Sequence, residues 1–241
     1  MLGIIAAMSE ELAAIIEVIG GDDVIELGGR RYHRGHYGGE PVIAVVSRIG
    51  KVAAATTAAI LLERFQPRAI VMTGLAGAVD PRLSIGDIVI ADRLIHHDLD
   101  ARPLFARHEI PLLGVAELIA DRALSDRMAR AAQQFVVPPE LGSLGITRPK
   151  LWRGLVGSGD QFFSSQELTT ALRERLPSVL AVEMEGAAVA QVCHEHAVPF
   201  AIARVISDGA DHAAAVDFAR FLRVACGPYA RALIEGVLST A

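Results

Sequence analysis

The sequence predicts an α/β fold: a single domain over residues 1–241, with a central mixed β-sheet flanked by helices. Three observations carry this expectation. Strand-like apolar runs alternate with helical stretches along most of the chain, the order that builds a mixed or parallel sheet with helices on its faces. The composition is 52% hydrophobic but only 5% aromatic, so the apolar content is Ala, Val, Ile and Leu, which suits buried strands packed by small-residue helices. At 241 residues one continuous core is sufficient, and length requires no second domain.

The first apolar run, Leu2–Ala7, is a strand. Behind it Leu12, Ile15, Ile16 and Ile19 fall on one helical face, with Ser9 as the expected N-cap and Gly20-Gly21 as the stop, which puts Glu11 in the first helical turn. Short strands at Val24–Leu27, Tyr32–Tyr37 and Pro41–Val46 lie between Gly-rich turns and are expected to pair antiparallel. Lys51–Phe65 is a helix, followed by strands Ala69–Thr73 and Asp87–Ile95. Val115–Phe135 is expected as one long helix, then Gly154–Ser158 as a strand, Ser165–Leu176 as a helix, Ala181–Glu183 as a strand, Glu185–His196 as a helix and Phe200–Ser207 as a strand. A last helical region from Val216 is expected to break at Gly227-Pro228. Arg102–Leu113 and Pro138–Lys150 are long irregular stretches, of a length that often serves as a lid or an interface piece.

Net charge is −5 with acidic and basic residues interspersed, so no Lys/Arg block is present to neutralise a nucleic-acid backbone or an anionic membrane surface. The apolar N-terminus lacks a basic n-region and runs straight into Ser9-Glu10-Glu11, which marks it as a strand and not a signal peptide. No apolar span is long enough to cross a bilayer. Cys193 and Cys226 form no disulfide framework or zinc motif and are expected as reduced core residues of a cytoplasmic protein.

Polar clusters stand at three strand ends, where open α/β sheets place their ligand crevice: Ser9-Glu10-Glu11, Glu183-Met184-Glu185 and Ser207-Asp208. Taken singly, Glu10, Glu11 and Glu185 are ordinary first-turn carboxylates favoured by the helix dipole. Asp208 ends a long apolar run and is harder to assign to a surface, although a turn or cap aspartate is the bland alternative. Two Gly-rich segments after strands, Thr73–Ala78 and Gly157–Phe163, are expected as tight turns that let backbone approach a ligand. Neither has dinucleotide or P-loop spacing. Phe162-Phe163 beside the second offers either a stacking face for a heteroaromatic base or a piece of core. His96-His97-Asp98, with Asp100 and His108, and the pair His194/His196 are the metal candidates. Adjacent strand histidines diverge, as do i, i+2 histidines on a helix, so no coherent ligand set is expected. A nucleophile elbow G-x-S-x-G is absent.

Taken in order, the segments Gly3–Glu11, Ile49–Ala55, Ser158–Phe162, Ala181–Gly186 and Arg204–Asp208 resemble the 5′-methylthioadenosine/S-adenosylhomocysteine nucleosidase family of the nucleoside phosphorylase superfamily, over nearly the whole chain. The resemblance implies Glu11 as the base that activates water and Asp208 as the acid that protonates adenine at N7. It implies Glu185 on the ribose hydroxyls, Met184 against the sugar, Phe162 stacked on adenine and the Phe163 backbone at its edge. Ser207 and Arg204 would orient Asp208, and Ile49 and Phe218 would line the apolar end that takes the 5′ substituent. Phe105 and Pro111 are the expected contributions of a second subunit, since the family is usually homodimeric. No metal or organic cofactor is implied. Leu75 departs from the family, where a hydroxyl or a smaller residue is common, and alters one wall of the ribose side. Arg48, beside Ile49-Gly50, adds a cation that could instead hold phosphate.

The rival reactions are phosphorolysis on the same base pocket and hydrolysis of another nucleoside, such as a futalosine-type molecule or 5′-deoxyadenosine. Against phosphorolysis stands Glu11, because a carboxylate at the nucleophile position repels phosphate by roughly 4 kcal/mol for unit charges near 4 Å at an effective dielectric of 20. A binding module without catalysis would be expected to lack Glu11 or Asp208, and both are present.

Overall fold

The computed structural model describes residues 1–21 and 23–239; Asp22, Thr240 and Ala241, which the single-domain expectation included, lie outside the described residues. The order of elements is β1 (Leu2–Ala6), α1 (Ser9–Ile19), β2 (Asp23–Leu27), β3 (Arg30–Tyr37), β4 (Glu40–Val46), α2 (Lys51–Phe65), β5 (Ile70–Ala78), β6 (Ile88–His96), β7 (Glu117–Ile119) and α3 (Arg122–Gln133). A 3-10 turn at Pro139–Leu144 precedes β8 (Leu151–Ser158), α4 (Gln166–Arg175), β9 (Val179–Glu183), α5 (Gly186–Glu195), β10 (Phe200–Asp208), α6 (Ala214–Val224) and α7 (Cys226–Ser239).

The strands form one mixed sheet among the described residues. β1 runs parallel to both β4 and β5, and β5 runs parallel to β10. β10 pairs antiparallel with β6, β6 parallel with β8, β8 parallel with β9, and β9 returns antiparallel to β5 through Gly77 and Ala78. Strands β5, β10, β6, β8 and β9 therefore close into a small barrel, and β1, β4, β3 and β2 extend from its β5 side as a twisted wing. As expected, β2, β3 and β4 are antiparallel neighbours.

The strands of the barrel are buried on both faces, which is why they appear as continuous apolar runs and not as alternations. α2 and α5 pack on one face around Leu61, Ile70 and Val189. α1, α3 and α7 pack on the other, around Ile15, Met128 and Leu233, and α4 covers the barrel through Leu172. Truncating a fully buried Leu in such a layer costs about 2–5 kcal/mol, so these faces dominate the fold's stability.

Four expectations are corrected. Val115–Phe135 is not one helix: Glu117–Ile119 is β7, paired antiparallel to β6, and Asp121 starts α3 by accepting the Leu124 amide at 2.9 Å. Thr73–Ala78 is not a turn, because β5 continues through both glycines with β10 and β9 as partners. Gly227-Pro228 does not end the closing helical region. The interruption falls at Ala225, and Pro228 lies in the first turn of α7, where its missing amide has no intrahelical partner to lose. Ser9 is the first residue of α1 and Met8 is its N-cap, because the Glu11 carboxylate folds back onto the Ala7 and Met8 amides and takes over the capping role.

Candidate active site

The ends of β1, β5, β9 and β10 open into one cavity. Ile49, Leu75, Phe162, Phe163, Met184, Glu185, Phe218, Ser207 and Asp208 all line it, joined by Ala7, Met8, Ala76, Gly77, Gln161, Val182 and Glu183. Glu11 and Arg204 lie just behind this wall, and Phe105 and Pro111 are on the 97–116 loop away from it.

Asp208 reaches the cavity through an irregularity. The β10–β5 register shifts between Ile206 and Asp208, a bulge that re-aims the strand end. The Asp208 carboxyl is 2% exposed, accepts the Ser207 hydroxyl at 2.7 Å and accepts the Ala210 amide at 2.9 Å. Burial pushes its pKa up, against the lowering effect of these two hydrogen bonds, so the carboxyl holds a proton above the usual range. The facing residue is glycine: a Cβ on Gly77 would stand 2.9 Å from Asp208 Oδ1 and 3.0 Å from the Ala210 Cβ, so the carboxyl would have to shift.

The opposite side is built around Arg204, which is fully buried. Its Nη2 donates to Glu183 and lies 3.7 Å from Glu185 Oε2, and its Nε and Nη1 have no hydrogen-bond partner among the described residues. No hydrogen bond joins Arg204 to Asp208 among the described residues. On a strand, Arg204 and Asp208 are separated by the bulge, and the guanidinium turns to the carboxylates at the end of β9. Room for it comes from Gly74, where any side chain would collide with Nη1.

Glu183 is the centre of this cluster. It accepts the Ser158 hydroxyl, the Glu185 amide at 3.0 Å, the Gly186 amide at 2.8 Å and the Arg204 guanidinium. Glu185 accepts the Gly50 amide through Oε1 at 3.0 Å. Burial, then the neighbouring Glu183, pushes the Glu185 pKa up despite Arg204. Burial likewise raises Glu11, partly offset by Arg204 and by the Met8 and Ala7 amides. One guanidinium thus faces three buried carboxyl groups, Glu183, Glu185 and Glu11.

The walls are otherwise apolar. Phe162 is 42% exposed and meets Phe218 edge-on with centroids 6.0 Å apart, so the two rings flank the mouth, while Phe163 is buried against His97. Leu75 lies in the wall at the Val205 register of β10. Arg48 is exposed, its guanidinium bonded to the Gly29 carbonyl, and is not part of the cavity wall. His96 bonds Gln191 at 3.0 Å and His196 bonds Glu63 at 3.0 Å, and among the described residues no group of three or more His, Cys, Asp or Glu could hold a metal.

Sequence reasoning missed the central role of Glu183, and the glycines Gly74 and Gly77 as clearances. It also missed the amino terminus of α2. There the consecutive amides of Gly50 and Lys51 bind Glu185 and Asp160 respectively. The spacing of Glu183 and Glu185 at the end of an apolar run was the available signal for the first of these.

The profile of the phosphorylase superfamily matches residues 1–239. The 5′-methylthioadenosine/S-adenosylhomocysteine nucleosidase of Tolumonas auensis is 36% identical over 225 residues, 93% of each chain. The crystal structure of the nucleosidase of that name from Neisseria meningitidis, in complex with methylthio-immucillin-A, superposes with a TM-score of 0.89 at 33% identity, covering 99% of this chain and 98% of that one. The native futalosine hydrolase of Helicobacter pylori superposes with a TM-score of 0.86 at 30% identity, covering 100% of this chain and 97% of that one. With a whole-length profile match, and with relatives of this identity in sequence and structure, the chain belongs to the 5′-methylthioadenosine/S-adenosylhomocysteine nucleosidase family of the phosphorylase superfamily.

Proposed function

We propose that this chain is an N-glycosyl hydrolase, acting as one catalytic domain, that releases adenine from 5′-methylthioadenosine and S-adenosylhomocysteine. The observation that carries the reading is a pair of buried carboxyl groups at one apolar cavity: Asp208 in its wall, raised toward its protonated form, and Glu11 directly behind the wall on the Ala7 and Met8 amides. Glycosidic cleavage passes through an oxocarbenium-like state and needs an acid on the leaving-group side and a base on the water side.

Asp208 gives its proton to adenine N7 as the C1′–N9 bond breaks and its electron pair withdraws into the purine. Water forms the new bond to C1′ and yields a proton to Glu11. The products are adenine and the free 5-substituted ribose. Glu185 accepts from the ribose hydroxyls. Met184 packs on the sugar, Phe162 stacks on the base and the Phe163 backbone meets its edge. Ile49 and Phe218 receive the 5′ substituent. Ser207, hydrogen-bonded to Asp208, holds the acid in place.

Ile49 and Phe162 are exposed apolar residues at the mouth, and Leu104 and Leu112 are exposed apolar residues on the 97–116 loop. This supports a homodimer in which Phe105 and Pro111 of each copy cover the other's site. We place the enzyme in the cytoplasm, in salvage of the methylthio group toward methionine, with its two buried cysteines reduced.

The test is incubation of the protein with 5′-methylthioadenosine, with and without phosphate, following adenine and the sugar product. Phosphate-independent adenine with free methylthioribose is expected, and a sugar 1-phosphate would overturn hydrolysis. Asp208→Asn and Glu11→Gln should each lower kcat by about 10²–10⁴-fold with the fold intact by circular dichroism. Near-normal turnover in either variant would remove that assignment. A futalosine-type substrate is the second reading, supported by the likeness to the Helicobacter pylori hydrolase and by Leu75 in the wall. It is preferred if futalosine is cleaved and 5′-methylthioadenosine is not.

A further inference from the structure

The loop that carries Phe162 is fastened by a closed circuit of charges outside the cavity. Asp160 Oδ1 accepts the backbone amide of Lys51 at 2.8 Å. The Lys51 ammonium donates to Asp98 Oδ1 at 2.6 Å and lies 4.0 Å from Asp160 Oδ2. Asp98 Oδ2 accepts the Asp160 amide at 3.0 Å, which completes the circuit. Gly159 lies flat against the same strand end: a Cβ there would collide with His97 Nε2 and stand 3.1 Å from the Asp98 carboxyl carbon.

The amide next to Lys51, that of Gly50, holds Glu185. Gly50 reaches this geometry with φ of +95°, a conformation closed to ordinary side chains, and its own missing Cβ leaves 3.1 Å to Asp160 Oδ1. Two consecutive amides at one helix terminus therefore set the spacing between the carboxylate on the ribose side and the loop on the base side. Asp98 itself stands at the start of the 97–116 loop, so the same circuit ties that loop to the base side.

We propose that Lys51, Asp98 and Asp160 are positioning residues that hold the Phe162 loop at the distance from Glu185 that a nucleoside spans. The proposal rests on the nucleosidase reading of the cavity. None of the three side chains lines that cavity, so their effect is on where the base is received and not on the proton transfers. The circuit joins residues far apart in sequence, and helix α2 is itself anchored by buried Ala54, Ala58 and Leu61, so loss of the charges leaves the fold in place.

The experiment compares wild type with Lys51→Met, Asp98→Asn and the double variant, together with Lys51→Arg. Lys51→Met keeps the backbone amide that caps Asp160. Steady-state kinetics on 5′-methylthioadenosine should show KM raised about tenfold in Lys51→Met and in Asp98→Asn with kcat lowered less than about threefold, and the double variant no worse than the worse of these two. Lys51→Arg should recover most of the loss. Hydrogen exchange without any nucleoside should show faster exchange confined to 158–163 and 97–100, with the thermal midpoint nearly unchanged. KM values at the wild-type level, multiplying effects in the double variant, or unchanged exchange in the loop would each overturn the proposal. Failure of wild type to release adenine would instead overturn the nucleosidase reading, and the exchange measurement would still decide whether the circuit holds the loop.

Discussion

Around Arg204, carboxylates share a guanidinium that is wholly out of water: the side-chain exposures are 0% for Arg204, 2% for Glu183 and 7% for Glu185. Around Lys51, two carboxylates share an ammonium that stays in contact with water, at 21% for Lys51, 32% for Asp98 and 51% for Asp160. Both clusters grip the same end of α2, one through Gly50 and the other through Lys51. The difference teaches what burial does to similar chemistry. Buried charges cannot be screened and shift each other's protonation, whereas half-exposed ones fix a geometry at little energetic cost and answer to salt.

The largest expected effect is on stability. Arg204→Met leaves Glu183 buried without its counter-charge and should cost about 3–5 kcal/mol in urea unfolding. Lys51→Met should cost no more than about 1 kcal/mol. Equal losses would break the comparison.

The next effect is the sign of the pH dependence. Burial and Glu183 raise Glu185 above its ordinary 4.5, so the folded protein holds that proton more tightly than the unfolded chain. Its contribution is fully present below the unfolded value and is lost as pH rises through the raised folded value. For Asp98 the sign is reversed. Burial alone would raise it, yet the Lys51 ammonium and the Asp160 amide hold it below 3.8, so its contribution is present above that value and is lost as pH falls. Urea unfolding should show Glu185→Gln gaining on wild type as pH rises from about 5 to about 8, and Asp98→Asn gaining on wild type only as pH falls below about 4. A common direction for both would mean that the two clusters do not differ in the way burial implies.

The smallest effect is on substrate affinity. Raising salt from about 0.05 to about 0.5 M shortens screening to a few ångströms, and should raise the wild-type KM about twofold while leaving that of Asp98→Asn nearly level. The same salt series should not move kcat, because the groups around Arg204 are shielded from it.

The sheet and the position of the site were legible because they rest on local signals. The apolar runs of β1 and β10 end in charged residues, and a charged residue at the end of a buried strand points to a crevice. β7 was not legible, because three residues carry too little alternation to stand out beside the strong helical pattern of α3. The glycines of β5 imitate a turn in sequence, and only their neighbours in space explain them. Arg204 was found but its bond to Glu183 was not, since a sequence places it four residues from Asp208 and says nothing of Glu183 across the barrel. The Lys51 circuit was invisible for the same reason: its bonds join residues 47, 62 and 109 positions apart.

The clearances at Gly74 and Gly77 constrain which substitutions such a site tolerates. A side chain at position 74 is incompatible with the present place of the Arg204 guanidinium, and one at position 77 crowds Asp208. A side chain added at either glycine therefore has to move the guanidinium or the carboxylate beside it from its present place.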